Sequence, residues 1–231
     1  MVDVPVLAEV AGDEGLARDQ RDQDDVLVAS LVSALDGTQR PVVLVTSALG
    51  SEGRAGVVAR LGRALALTGY RALVVSADLE RSKLHDELGL SLGLGLTDLL
   101  EVLERTGGAD LPPELLERAT NNVLQPREGD RLIGRLSAIT AGTKPQDPGP
   151  LVSGRPMERF VQIAKGLSVD YVLVDGPSLL GPLDSQTLSR AVDYTLLVSC
   201  PRRLPVRKVG ELREKLDGLA DKPAGLLALG R

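Results

Sequence analysis

The feature that most constrains this chain is a recurrence of short apolar runs rich in Val and Leu, alternating with amphipathic stretches. Val42–Thr46 precedes Gly53–Thr68, and Ala72–Val75 precedes Leu84–Leu88. Further runs lie at Leu132–Thr140, Tyr171–Val174, Thr195–Ser199 and Leu226–Leu229. Strands that are apolar at every position suit burial on both faces of a parallel sheet, and helices between them suit right-handed crossovers. The pattern predicts an α/β fold: a three-layer, doubly wound, mostly parallel sheet with helices on both faces. Before it, Glu9 to Asp25 is dense in Asp, Glu, Arg and Gln, and a helix-compatible apolar pattern begins only at Val26. We therefore expect a polar linker over residues 1–25 and one domain over 26–231.

Composition narrows the function classes. Aromatic residues make up 2% of the 231 positions, with no Trp, so surfaces that stack bases or sugars are not expected. A net charge of -5 gives no electrostatic footprint for nucleic acid. The single cysteine, Cys200, excludes an internal disulfide, and the single histidine, His85, excludes the common Cys/His zinc arrangements. No apolar run approaches the roughly 20 residues that span a bilayer, and the N-terminus has no signal-peptide pattern. A cytoplasmic setting is expected.

The first strand and helix enclose Ser47-Ala48-Leu49-Gly50-Ser51-Glu52-Gly53-Arg54-Ala55-Gly56. Strand, glycine-containing loop and helix N-terminus form the layout of a phosphate-binding loop, in which backbone N–H groups face the anion. The residues depart from the usual Gly-x-x-x-x-Gly-Lys-Ser/Thr pattern, because Arg54 stands at the lysine and Ala55 at the hydroxyl residue. Arg is a planar fork where Lys is a compact ammonium, and Ala55 offers no hydroxyl to Mg²⁺. On the loop alone, a simple strand-turn-helix corner explains these residues equally well.

Several further segments, taken in order, resemble the bacterial tyrosine kinases, a branch of the MinD-like P-loop ATPases. Leu73-Val74-Val75-Ser76-Ala77-Asp78-Leu79-Glu80-Arg81 is similar to the family's strand followed by Asp-x-Asp and Arg, with Asp78 kept and Ser76 at the first Asp. Leu84-His85-Asp86 and Gly95-Leu96-Thr97-Asp98-Leu99-Leu100 match its next elements, which makes His85 a partly buried helix residue. Ala141-Gly142-Thr143-Lys144-Pro145-Gln146-Asp147-Pro148 resembles its Ala-Gly-x-x-Pro-x-Asn-Pro loop, and a helix is expected from about Pro148 to Met157. Tyr171-Val172-Leu173-Val174-Asp175-Gly176-Pro177-Ser178, with Asp184 beyond, resembles its second acidic strand. Gly225 to Leu229 resembles its last strand, with Leu229 where an Asn contacts adenine.

The resemblance implies a nucleotide site at Gly50, Ser51, Glu52, Gly53, Arg54, Ala55 and Gly56, with Asp78 and Asp175 as candidate catalytic and metal-holding groups. ATP or ADP with Mg²⁺ is the implied cofactor. It also implies a partner, the membrane segment of a polysaccharide co-polymerase in the same chain or a separate protein, together with homo-oligomers. The place of action would be the inner face of the plasma membrane. Val4-Pro5-Val6-Leu7 resembles the segment after the second membrane helix of fused family members, which implies an excised cytoplasmic domain. Departures at Ser51, Arg54, Ala55, Ser76 and Leu229 lead us to expect a scaffold in capsule or exopolysaccharide assembly with weak or no ATP hydrolysis. Two alternatives stay open: an active ATP-dependent tyrosine autokinase using Arg54, Asp78 and Asp175, and a MinD-like positioning protein. Cys200 and Tyr171 are expected in the core, and the basic run Pro201 to Lys208 at the opening of a helix.

Overall fold

A computed structural model describes residues 6–10, 17–50, 52–126, 134–181, 185–200, 204–219 and 224–229. The first half runs β1 (Val6–Val10), α1 (Ala17–Ala34), β2 (Val42–Ser47), α2 (Arg54–Leu67), β3 (Arg71–Ser76), α3 (Leu84–Leu88), α4 (Leu96–Arg105), α5 (Pro113–Ala119) and β4 (Thr120–Leu124). The second half runs β5 (Arg135–Ile139), α6 (Pro148–Ser153), α7 (Arg155–Gly166), β6 (Tyr171–Asp175), α8 (Ser185–Ala191), β7 (Tyr194–Ser199), α9 (Val206–Asp217) and β8 (Ala224–Leu229).

Among the described residues these strands form one sheet in the order β1-β8-β7-β2-β6-β3-β5-β4. Every pairing is parallel except β4 with β5. Alternation along each strand divides the core into two layers. Val43, Val45, Ala72, Val74 and Leu173 point to one face, where α1, α2 and α3 pack with Leu31, Leu61 and Leu65. Val42, Leu44, Leu73, Val75, Val172 and Val174 point to the other, against α4, α6, α7 and α8 with Leu99, Leu103, Met157 and Phe160. Strands buried on both faces in a three-layer arrangement are what the uninterrupted apolar runs predict.

Three expectations are corrected. The polar segment 1–25 is not only a linker: Val6–Val10 pairs in parallel with β8, and α1 begins at Ala17. Its charges hid the helix, yet Asp24 within it meets Arg60 of α2 at 2.7 Å. The helix expected from Pro148 to Met157 is two helices, because a Cβ on Gly154 would lie 2.3 Å from the Pro150 carbonyl oxygen and Pro156 follows at once. Within the described part of the run Leu132–Thr140 the strand is Arg135–Ile139, ending before Thr140, and residues 127–133 lie outside the described ones.

Glycine lets α2 sit low on the sheet. A Cβ at Gly62 would come within 2.8 Å of Val74 Cγ1 and 3.0 Å of Leu136 Cδ1, so a bare backbone allows this approach. The helix thereby carries its first residue, Arg54, to the carboxyl ends of the central strands, where open α/β sheets place their sites.

Candidate functional site: a phosphate loop closed on itself

Sheet register assembles the site. Asp175, the last residue of β6, stands opposite Val45 of β2 and Ser76 of β3. The turn after β3 is then tied to β6, since the N–H groups of Ala77 and Asp78 both donate to the Asp175 carbonyl at 2.9 and 3.0 Å. Gly176 N–H donates to the Val45 carbonyl at 2.9 Å, and Thr46 Oγ1 and Ser185 Oγ each donate to the Pro177 carbonyl at 2.7 Å. Three strand ends are locked side by side, and two carboxylates face the start of α2.

Arg54 fills the space between them. Its Nε donates to Asp175 Oδ1 at 2.5 Å, its Nη2 to Asp78 Oδ2 at 2.8 Å, and its Nη1 to Ser47 Oγ at 3.1 Å. All three side chains of the ion cluster are buried, Arg54 at 6% exposure, Asp78 at 7% and Asp175 at 0%. A planar fork can satisfy partners on separate strands at once, which one ammonium cannot do with the same geometry. Asp78 Oδ1 accepts from Arg81 N–H at 3.1 Å, whereas Asp175 Oδ2 is buried without a hydrogen-bond partner.

One cation shared by two carboxylates leaves a net negative charge in a dry place. Burial, and secondarily the Asp78 charge, push the Asp175 carboxyl above its ordinary value, and the opposing pull of Arg54 does not restore it. Arg54 itself is held above its ordinary value: burial works against its charge, but Asp175 and then Asp78 outweigh it.

One backbone donor of the loop, the Leu49 N–H, is engaged too. Gly53 takes a left-handed conformation, φ 73°, to cap α2, and no side chain caps the helix there. Glu52, 2% exposed, accepts from Leu49 N–H through Oε2 at 2.7 Å and from Cys200 N–H through Oε1 at 3.0 Å. The Glu87 carboxylate of α3 lies against Gly56, 3.5 Å from where its Cβ would stand. Carboxylates of the chain thus sit where a helix N-terminus and its loop attract negative charge.

Of the residues expected in the nucleotide site, the structure brings Glu52 and Arg54 together with Asp78 and Asp175. Gly50 lies exposed at the loop tip, its side facing Arg81 Nη1 and Ser178 Oγ, and Ala55 and Gly56 form the first turn of α2. Ser51, Asp184 and residues 201–203 lie outside the described residues. Ser76 Oγ bonds Ser82 Oγ at 2.8 Å rather than joining the ion cluster. Tyr171 is buried and meets Tyr70 edge-on at 5.0 Å, His85 is half-buried on α3, and Cys200 is half-buried. Sequence reasoning missed Ser47, whose Oγ accepts from Arg54 and donates to the Leu49 carbonyl at 2.8 Å. The available signal was a polar residue closing an apolar strand directly before the loop. Among the described residues no group of three or more His, Cys, Asp and Glu converges as a metal site.

The fold recurs in known proteins, although no family model matches the chain. Tyrosine-protein kinase YwqD of Bacillus subtilis is 25% identical over 193 residues, covering 84% of this chain and 73% of that protein. The kinase domain of Escherichia coli tyrosine kinase ETK superposes with a TM-score of 0.78 at 21% identity, covering 98% of this chain and 90% of the other. The chain is similar in sequence to bacterial tyrosine-protein kinases and shares their fold. The fold is also that of MinD in the Aquifex aeolicus MinC:MinD cell division complex, with a TM-score of 0.58, 22% identity, and coverage of 81% of this chain and 68% of that one. No helix among the described residues of this chain is long and apolar enough to cross a membrane.

Proposed function

We propose that this kinase-like domain is a non-catalytic scaffold or regulator of polysaccharide assembly and export, acting at the inner face of the plasma membrane. Its partners in this reading are the membrane segment of a co-polymerase and further copies of itself. The family resemblance supports the pathway, and one observation supports the loss of catalysis: Arg54 lies buried across Asp78 and Asp175. A Mg²⁺-nucleotide does not fit these residues as they stand. Both carboxylates that would face a metal are paired to a guanidinium, Ala55 brings no hydroxyl, and Glu52 holds the Leu49 N–H that a phosphate would take. Displacing Arg54 would strand a buried cation, which is costly.

Calorimetry of ATP and ADP against the purified chain, with and without Mg²⁺, tests the reading. Silence is expected, and a variant carrying Arg54→Lys, Ala55→Ser and Ser76→Asp is expected to gain Mg²⁺-dependent binding. Mg²⁺-dependent binding and turnover by the unaltered chain would show an active autokinase or ATPase instead. In cells, deleting the domain should alter polymer yield or length.

A further inference from the structure

In P-loop enzymes a metal ion and the phosphates it bridges draw the loop and the acidic strand ends together, so the joined arrangement depends on ligand. In this domain adjacent side chains supply both charges. Arg54 joins the end of β2, through Ser47, to Asp78 beyond β3 and Asp175 on β6. Two residues earlier, Glu52 joins the loop at Leu49 to the end of β7 at Cys200, 148 positions away in the chain. A positive group sits between the carboxylates, and a negative group on one N–H of the loop and one beyond β7. The buried Oδ2 of Asp175, with no partner, is the one acceptor of the cluster left unfilled.

We propose that Arg54 is the resident cation of this site, a covalently attached lock that holds the ends of β2, β3 and β6 joined without any ligand. The inference rests on the non-catalytic reading above and adds how such a domain is regulated: its state does not respond to nucleotide or divalent metal. A surface that depends on the joined strand ends is therefore displayed constitutively. The guanidinium also suppresses a latent divalent-cation site made of Asp78, Asp175 and Ser47, which its removal would unmask.

The test uses the full chain, with Mn²⁺ alone as probe, followed by electron paramagnetic resonance and by thermal melting. The unaltered chain should leave Mn²⁺ free and keep its melting temperature. Arg54→Met, which retains the apolar stem, should melt roughly 6–10 °C lower, bind one Mn²⁺ and recover at least half of the lost temperature with it. Adding Asp78→Asn should abolish both binding and recovery. An unaltered chain that takes Mn²⁺ at this site, or an Arg54→Met variant as stable as its parent or unrescued, overturns the lock. Should Arg54→Met not fold, Arg54→Lys decides by hydrogen exchange: the amides of Ala77, Asp78 and Gly176 should exchange at least tenfold faster, and unchanged rates overturn the proposal. ATP turnover by the unaltered chain would sink the non-catalytic reading. Absent turnover with an indifferent Arg54→Met would sink the lock alone.

Discussion

Restoring the lysine of the usual loop pattern, by Arg54→Lys alone, should weaken the protein. The substitution looks conservative and keeps the charge. Arg54 makes three side-chain hydrogen bonds from three nitrogens, to Asp175, Asp78 and Ser47. A lysine ammonium on a shorter stem can stay with one carboxylate and leaves the other buried and short of a partner. Hydrogen bonds to charged groups contribute about 1.5–3 kcal/mol each, and breaking a buried pair from one side costs about 3–5 kcal/mol. Residual attraction across the cavity offsets part of that, so a net loss of about 2–4 kcal/mol is expected. For a chain of 231 residues the unfolding entropy is roughly 0.5 kcal/mol per degree, which converts the loss to a fall of about 4–8 °C in melting temperature. Differential scanning calorimetry at pH 7 without ligand gives the value. Asp24→Asn, which removes the partner of Arg60 in a pair one-quarter exposed on each side, is the control and should cost no more than about 1 kcal/mol. An Arg54→Lys protein as stable as its parent would refute the argument, because it would mean that the two carboxylates do not need the fork.

The remaining expectations concern charge and packing. Because burial raises the Asp175 carboxyl above its ordinary 3.8, the folded state keeps that proton longer than the unfolded chain does. Its contribution to stability therefore falls as pH rises from about 3.8 through the raised value and is flat above it, and Asp175→Asn should erase that stretch of a stability-versus-pH curve. Asp170 behaves oppositely: the hydrogen bond from Arg71 holds it below 3.8, so its stabilisation is full above 3.8 and is lost as pH falls through the lowered value. A pH-dependent melting series on Asp170→Asn should show a shallower acid limb, and an unchanged limb would remove this pair from acid unfolding. Glu52→Ala frees the N–H groups of Leu49 and Cys200 in a buried corner, and urea titration should find it about 1–3 kcal/mol less stable. Gly62→Ala gains about 1 kcal/mol of helix propensity but drives a methyl into Val74 and Leu136 at a cost of about 1–3 kcal/mol. A small net loss in the same titration is expected, and a gain would mean that α2 can lift from the sheet.

How far the sequence carries depends on whether a residue's meaning is local. β2, β3, β6 and β7 were legible because each carries an unbroken run of three or four apolar residues, which suits a strand covered on both faces. The antiparallel edge strand Thr120–Leu124 carried no such signal, since two asparagines occupy its centre and its residues are only partly buried. The start of α1 was hidden by its charges, whose one visible use, Asp24 to Arg60, is made across 36 positions. The loop shows the same limit at the functional level. Arg54 can be seen in the sequence as a missing lysine, and Asp78 and Asp175 as surviving carboxylates, so the three read as one loss and two remnants. Their relation is set by register: Val45 and Ser76 flank Asp175 in adjacent parallel strands, and this alone brings the carboxylates within reach of one guanidinium. Once that is so, keeping both Asp78 and Asp175 ceases to be evidence for a metal. The same two carboxylates are what a buried arginine fork uses, since with either one gone an N–H of the guanidinium would be left without its partner inside the fold. Asp78, Asp175 and Arg54 therefore stand or fall together, and replacing all three with neutral residues of similar volume should destabilise the domain less than replacing Arg54 alone, a comparison that urea titration of the two variants would decide.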